Sequence, residues 1–364
     1  MEKEYLSNAG VGRGTRAREW TLCGERMGRK MVHVFLTIDT ECSLGGAWDN
    51  PSYKPVDPER AILGKIGSDY YGIPRIMDIL EENDLRATFF IEVFAGLNCN
   101  RSDLASAYAQ VVRRGHDAQL HLHPIHYYYA MIREGRLGPE QLPAAKDLIG
   151  TLPPQTQLDL FQEGISLFRE MIGKAPVAFR AGNFGASMST LGVLEKVGIR
   201  YDSSFSAPYL GATCLMDSRA AINSPWQHGA VWEIPLTTFE TGAWSLRGLK
   251  PLNINAVSLW EMKKVLEQAE SIGLSAVTFL AHSFSLFKAA DVQFRRLRPD
   301  RLVLRRFQGL CRFLAEHAGR FRVVTFSDVE PSLLKGRETS FPRVGAIIPA
   351  LRKAIQGVNR IYWV

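Results

Sequence analysis

A parallel α/β barrel is the fold class that this chain of 364 residues predicts, and two observations predict it. From residue 31 onward, short apolar runs rich in β-branched and aromatic residues alternate with longer amphipathic stretches. Strands apolar on both faces, each followed by a helix-length segment, belong to parallel sheets covered by helices. The second observation is that chemically reactive side chains recur at the C-terminal ends of these runs. Charged groups there are costly unless paired or metal-bound.

In chain order, strands are expected at 32–39, 86–92, 117–121, 177–180, 199–202, 230–235, 275–282 and 322–325. Helices are expected at about 69–83, 102–114, 156–173, 187–197, 256–272 and 302–318. Seven or so such units suggest a closed or nearly closed barrel. Residues 43–68 and 124–153 are rich in Gly, Pro and aromatics and read as loops. They follow the first strand and a histidine-rich strand end, where loops of a barrel build its site, so they are candidate walls of a substrate groove.

The flanks differ from this body, taken as 31–334. Residues 1–30, rich in Gly and Arg with no apolar period, read as a disordered or poorly packed extension, with Met31 as an alternative start. Residues 335–364 read as a basic tail or short amphipathic helix. The net charge of +7 resides in these two flanks, and the body is close to neutral. That argues against a nucleic-acid-binding fold, which carries a concentrated basic face. It leaves room for basic tails that touch a membrane or a lipid-linked substrate. The five scattered cysteines lack metal or redox spacing and read as reduced thiols. With no signal peptide and no run of about eighteen apolar residues, a cytoplasmic protein is expected.

The chemistry concentrates in a few segments. Gln119-Leu120-His121-Leu122-His123-Pro124 places two imidazoles at a strand end, with His126 close behind. Leu36-Thr37-Ile38-Asp39-Thr40-Glu41 ends the first strand with two carboxylates. Two imidazoles and a carboxylate make an open divalent-metal site, with zinc the expected ion. Arg180, in Phe179-Arg180-Ala181-Gly182-Asn183, ends the next strand; Asp202 and His282 end two more.

These segments, in this order, resemble the polysaccharide deacetylase superfamily, the NodB-homology fold of carbohydrate esterase family 4. The resemblance covers roughly residues 32–330. It implies a distorted (β/α) barrel that removes acetyl groups from N-acetylated sugars with a divalent metal. It implies Asp39 as general base, Arg180 as the group orienting it, Asp202 as the fourth-motif aspartate and His282 as general acid. His121 and His123 would be metal ligands in a shortened histidine motif, with His126 an alternative partner for His123. The family's second acid is displaced: Thr40 stands in its place and Glu41 follows as the candidate ligand. Gly182 replaces a usual proline. Asp202 is expected to hydrogen-bond a site partner such as His282. Tyr127, Trp244 and Asn183 are candidate sugar contacts.

The expected activity is therefore metal-dependent N-deacetylation of a sugar or glycan precursor, a divergent branch suited to surface-polysaccharide biosynthesis. Two alternatives stay open: a carbohydrate-binding barrel that has lost catalysis, and a metal hydrolase of another amide or ester bond.

Overall fold

The structure, a computed structural model, describes residues 31–217, 223–242, 248–334 and 340–345. It begins with β1 (Val32–Thr40), followed by a short helix α1 (Pro58–Ala61) and a hairpin of β2 (Lys65–Ile66) and β3 (Asp69–Tyr70). Helix and strand then alternate: α2 (Ile73–Glu81), β4 (Thr88–Glu92), α3 (Arg101–Arg113) and β5 (Asp117–Leu122). Two helices, α4 (Pro124–Arg133) and α5 (Pro154–Ile172), precede β6 (Ala178–Ala181), α6 (Met188–Lys196) and β7 (Tyr201–Asp202). Next come the short strands β8 (Trp226–His228), β9 (Val231–Glu233), β10 (Thr238–Thr241) and β11 (Gly248–Pro251). After α7 (Leu259–Ile272) come β12 (Ala276–His282), the hairpin β13 (Phe287–Ala289) and β14 (Leu297–Pro299), α8 (Arg301–Glu316), β15 (Phe321–Val323) and β16 (Arg343–Val344).

The main sheet runs β12-β1-β4-β5-β6-β7-β9-β8, with β15 also beside β1. Every pairing in it is parallel except the β8–β9 edge, so the sheet holds eight parallel strands where about seven were expected. The curl comes close to closing. Beyond β9, Thr237 exchanges bonds with Thr278 of β12: its N–H reaches the Thr278 carbonyl at 3.3 Å, and its hydroxyl accepts the Thr278 N–H at 2.8 Å. Leu252 and Ile254 then satisfy Leu280 on the same edge at 3.0 Å each. Irregular backbone thus covers the outer edge of β12, which satisfies its peptide groups and distorts the barrel.

The strand pattern explains the two layers of core. On β1, Val34, Leu36 and Ile38 pack outward with the helices, while Phe35 packs inward with Phe90, Tyr201, Ile234 and Phe326. Alternation then carries Thr37 and Asp39 to the inner face above Phe35. Each ring of that inner cluster contributes about 1.5–3 kcal/mol relative to an exposed one.

The eight expected strands are all present, with ends displaced by at most two residues. The expectation of a loop across 124–153 is corrected by α4, which starts on Pro124 itself. Proline breaks helix interiors but suits the first turn, where its missing N–H had no partner anyway. Residues 1–30 lie outside the described residues, as does most of the expected C-terminal tail. Within that tail, Arg343–Val344 adds a strand to β10 on the edge opposite β11. Among the described residues, no helix is long and apolar enough to cross a membrane.

Candidate metal centre and cleft

Parallel register assembles the site. Asp39 pairs with His282 across β1 and β12, Glu92 with His121 across β4 and β5, and His121 with Arg180 across β5 and β6. All lie near the C-terminal rim, and Glu41, one step past β1, turns over it. Asp39, Glu41, His121, His123, Asn183 and His282 line one cleft of about 250 Å³. Six of the sequence-predicted site residues therefore meet in one place.

Glu41, His121 and His123 offer one ligand atom each, all within 4.8 Å of one another. Glu41 Oε2 lies 3.3 Å from His121 Nε2 and 2.8 Å from His123 Nε2. The outer nitrogens fix the tautomers. His121 Nδ1 donates to the Arg180 carbonyl at 2.7 Å, and a carbonyl can only accept, so the neutral ring turns its Nε2 lone pair inward. His123 Nδ1 lies 2.7 Å from the Asp147 carboxylate, which orients that ring likewise. At 2.8 Å the Glu41 carboxylate and His123 Nε2 share a proton when no ion is bound, and a divalent cation entering among the three atoms takes that proton's place. Tetrahedral zinc, with bonds of about 2.0–2.2 Å, sets neighbouring ligand atoms about 3.3 Å apart, so the donor set fits such an ion. Without an ion, the same contacts favour an ionised Glu41 beside a protonated His123. Burial works against charge on both partners, yet the imidazoles hold Glu41 well below the usual carboxylate range. Asp147 and Glu41 in turn raise His123 well above the ordinary histidine value, against the same burial.

Beneath this triad a buried ion pair crosses the barrel. The Arg180 guanidinium is 0% exposed; it donates to Asp39 Oδ1 at 2.6 Å and to the Thr37 hydroxyl at 2.9 Å. Its other nitrogens reach the Ser203 carbonyl at 3.0 Å and the Ser203 hydroxyl at 2.9 Å, and it stacks 4.3 Å from the centre of the Phe90 ring. So full a set of partners is what makes a buried guanidinium tolerable. Asp39 Oδ2 has no such donor among the described residues. His282 is partly exposed, stacks on Phe284, and has its backbone N–H capped by Ser285 Oγ at 2.8 Å.

Several expectations are corrected. Asp202 does not reach His282; it is fully buried, accepts from the Ser204 hydroxyl at 2.7 Å, and pairs in register with Glu233. Tyr127 packs on Phe94, with ring centres 5.4 Å apart, and does not line the cleft, because α4 turns it toward the core. His126 is buried with its ring 6.4 Å from that of His123, outside the triad, so it does not substitute for either imidazole. Trp244 lies outside the described residues. Sequence reasoning passed over Asp147, Phe184, Tyr209, Thr213, Asn253 and Leu280. All but Asp147 line the cleft. Only Phe184, next to Asn183, had a signal to find it by.

Gly182 has its explanation here. A Cβ at that position would fall 2.5–2.7 Å from the His123 ring, so a proline there collides with the imidazole. The His123 ring thus occupies the space that a side chain at 182 would need.

The Asp202–Glu233 pair carries a pH prediction. Burial first, then the neighbouring Asp202 charge, pushes Glu233 well above the usual carboxylate range, and burial raises Asp202 also. The folded pair holds its proton more tightly than the unfolded chain does. Its stabilising contribution is therefore complete at low pH and is lost as pH rises from the ordinary glutamate range through the raised value. Glu233→Gln keeps an acceptor for the Phe205 N–H, now 3.0 Å from Glu233, and supplies a fixed donor to Asp202. Urea unfolding at pH 5 and pH 8 should show a smaller loss of stability with pH in this variant than in the wild type.

Comparison with known proteins agrees with this architecture. Residues 69–201 match the family described as polysaccharide deacetylase, a stretch that contains both imidazoles, Asp147 and Arg180. A peptidoglycan deacetylase-like protein of Gibberella zeae is 40% identical over 55 residues, which is 15% of this chain and 16% of that protein. A crystal structure from Mycobacterium smegmatis, assigned to the polysaccharide deacetylases, has a TM-score of 0.52 at 17% identity and covers 87% of this chain and 96% of its own. A carbohydrate esterase family 4 pseudoenzyme from Bacillus anthracis has a TM-score of 0.40 at 9% identity over 87% of this chain and 70% of that one. Residues 69–201 thus match the polysaccharide deacetylase family, and the chain shares its fold with the Mycobacterium smegmatis structure.

Proposed function

We propose that the chain is a metal-dependent hydrolase that removes the acetyl group from an N-acetylated sugar or glycan precursor, with a role in surface-polysaccharide biosynthesis. The observation that carries this reading is the convergence of Glu41, His121 and His123 on one point of a cleft that also holds Asp39 and His282. A divalent ion held by those three side chains, zinc by the chemistry of the donors, supplies Lewis-acid polarisation of the amide carbonyl and an acidified water.

The remaining work falls to this chain's own groups. Asp39, held through Oδ1 by Arg180, accepts the proton of the attacking water on Oδ2. His282, at the neighbouring strand end, donates a proton to the leaving amine nitrogen as the C–N bond breaks. Asp202 acts at one remove, through Ser204, whose hydroxyl accepts the Ala181 N–H at 2.9 Å and so fixes the strand carrying Arg180. Phe184 and Tyr209 stack at 5.5 Å and 10°, and Tyr209 is 38% exposed at the cleft, a platform for the apolar face of a sugar ring. Asn183 and Asn253 add amide groups beside it.

The test is release of acetate, formate or phosphate from a panel of N-acetylated, N-formylated and phosphorylated sugars, run with and without added zinc. Acetate from the N-acetylated members alone supports the reading. Release from other amides or esters only would move the enzyme to another hydrolase class, and metal binding with no turnover of any member would favour the binding-barrel alternative. Tyr209→Ala should raise KM by about tenfold, the equivalent of about 1.4 kcal/mol of stacking, with kcat nearly unchanged. Tyr209→Phe should restore it.

A further inference from the structure

Asp147 lies in the segment between α4 and α5, which carries no family motif, yet its carboxylate receives three donors from three parts of the site. Oδ2 lies 2.7 Å from His123 Nδ1 and accepts from the Asn183 side-chain amide at 2.6 Å; Oδ1 accepts the Ile125 N–H at 3.2 Å. Asn183 and Phe184 both adopt left-handed backbone, with φ of 54° and 57°. A non-glycine residue is strained in this conformation, which persists only where its surroundings enforce it. The enforcing contacts come from the same segment: Asp147 grips the Asn183 side chain, and the Gly150 N–H donates to the Gly185 carbonyl at 2.7 Å.

We propose that Asp147 is a positioning residue that orients His123 for metal ligation and simultaneously holds the Asn183–Phe184 wall of the cleft. This rests on the proposed metal centre and adds to it the part that steadies His123. His121 takes its second bond from backbone on an adjacent strand, so register alone orients it. His123 lies one residue beyond β5 and has no such partner, so a carboxylate from the inserted segment supplies it. Outer partners of this kind fix the ring and raise its basicity toward the metal.

The experiment measures Zn2+ affinity by competition with a chromophoric chelator and the visible spectrum of the Co2+ form, beside the melting temperature of metal-free protein. Asp147→Ala should weaken Zn2+ binding about 10–100-fold and alter the Co2+ spectrum. Asp147→Asn, which keeps the shape and loses the charge, should also weaken binding while melting near the wild type. Glu140→Ala, which removes an exposed carboxylate of the same segment, should leave the affinity essentially unchanged. A lowered melting temperature with unchanged affinity and spectrum in both Asp147 variants would reduce the residue to a loop anchor and overturn the inference alone. Wild-type protein that takes up neither ion would overturn the metal reading together with it.

Discussion

Asp39→Asn is expected to lower the rate of N-deacetylation by about 10²–10⁴-fold, the usual effect of losing a positioned base. The same change should destabilise the fold by about 3 kcal/mol, the low end for breaking a buried ion pair, since the amide oxygen still accepts from Arg180. Both effects have one origin. Arg180 is held in a dry interior by Asp39, Thr37 and Ser203, and only Asp39 among these offers a charge. Acetate-release kinetics and urea unfolding read the two effects separately. Full stability with lost turnover would mean that Asp202, 0% exposed and close enough to feel the Arg180 charge, neutralises the guanidinium instead. Full turnover would remove Asp39 from the proposed mechanism.

His121→Ala/His123→Ala should abolish metal uptake. Wild-type protein incubated with zinc is expected to hold about one equivalent by elemental mass spectrometry, and the variant close to none, with turnover lost in parallel. Removing two ligands must exceed the about 10–100-fold penalty for losing an outer partner. Circular dichroism should change little, because both rings lie at the rim, while β5 pairs through its backbone with β4 and β6. No metal in the wild type, even after incubation with zinc, cobalt and manganese, would sink the hydrolase reading.

Much of the candidate site was legible as a one-dimensional pattern, for a definite reason. In a parallel sheet every strand points the same way, so polar residues at successive strand ends must gather at one rim once the strands align. That logic reached Asp39, Glu41, His121, His123 and His282, which share the cleft, and Arg180 just beneath it. It failed wherever position depends on contacts between loops. Tyr127 follows the histidines closely, yet helix geometry turns it toward Phe94. Tyr209 belongs to no motif, yet packs on Phe184 at the cleft. Asp147 sits in a segment expected to wall the groove, but it reaches His123 only because the fold returns it there.

By itself the sequence determined the strands of the parallel sheet, most of the long helices between them and the chemistry at the sheet's rim. These follow from periodicity, which each segment carries alone. Only the tertiary structure decided which partners others of those groups take: Glu233 and not His282 for Asp202, and Asp147 for His123. A buried polar group must find a partner within hydrogen-bond reach, and that distance is set by packing between segments far apart in the chain.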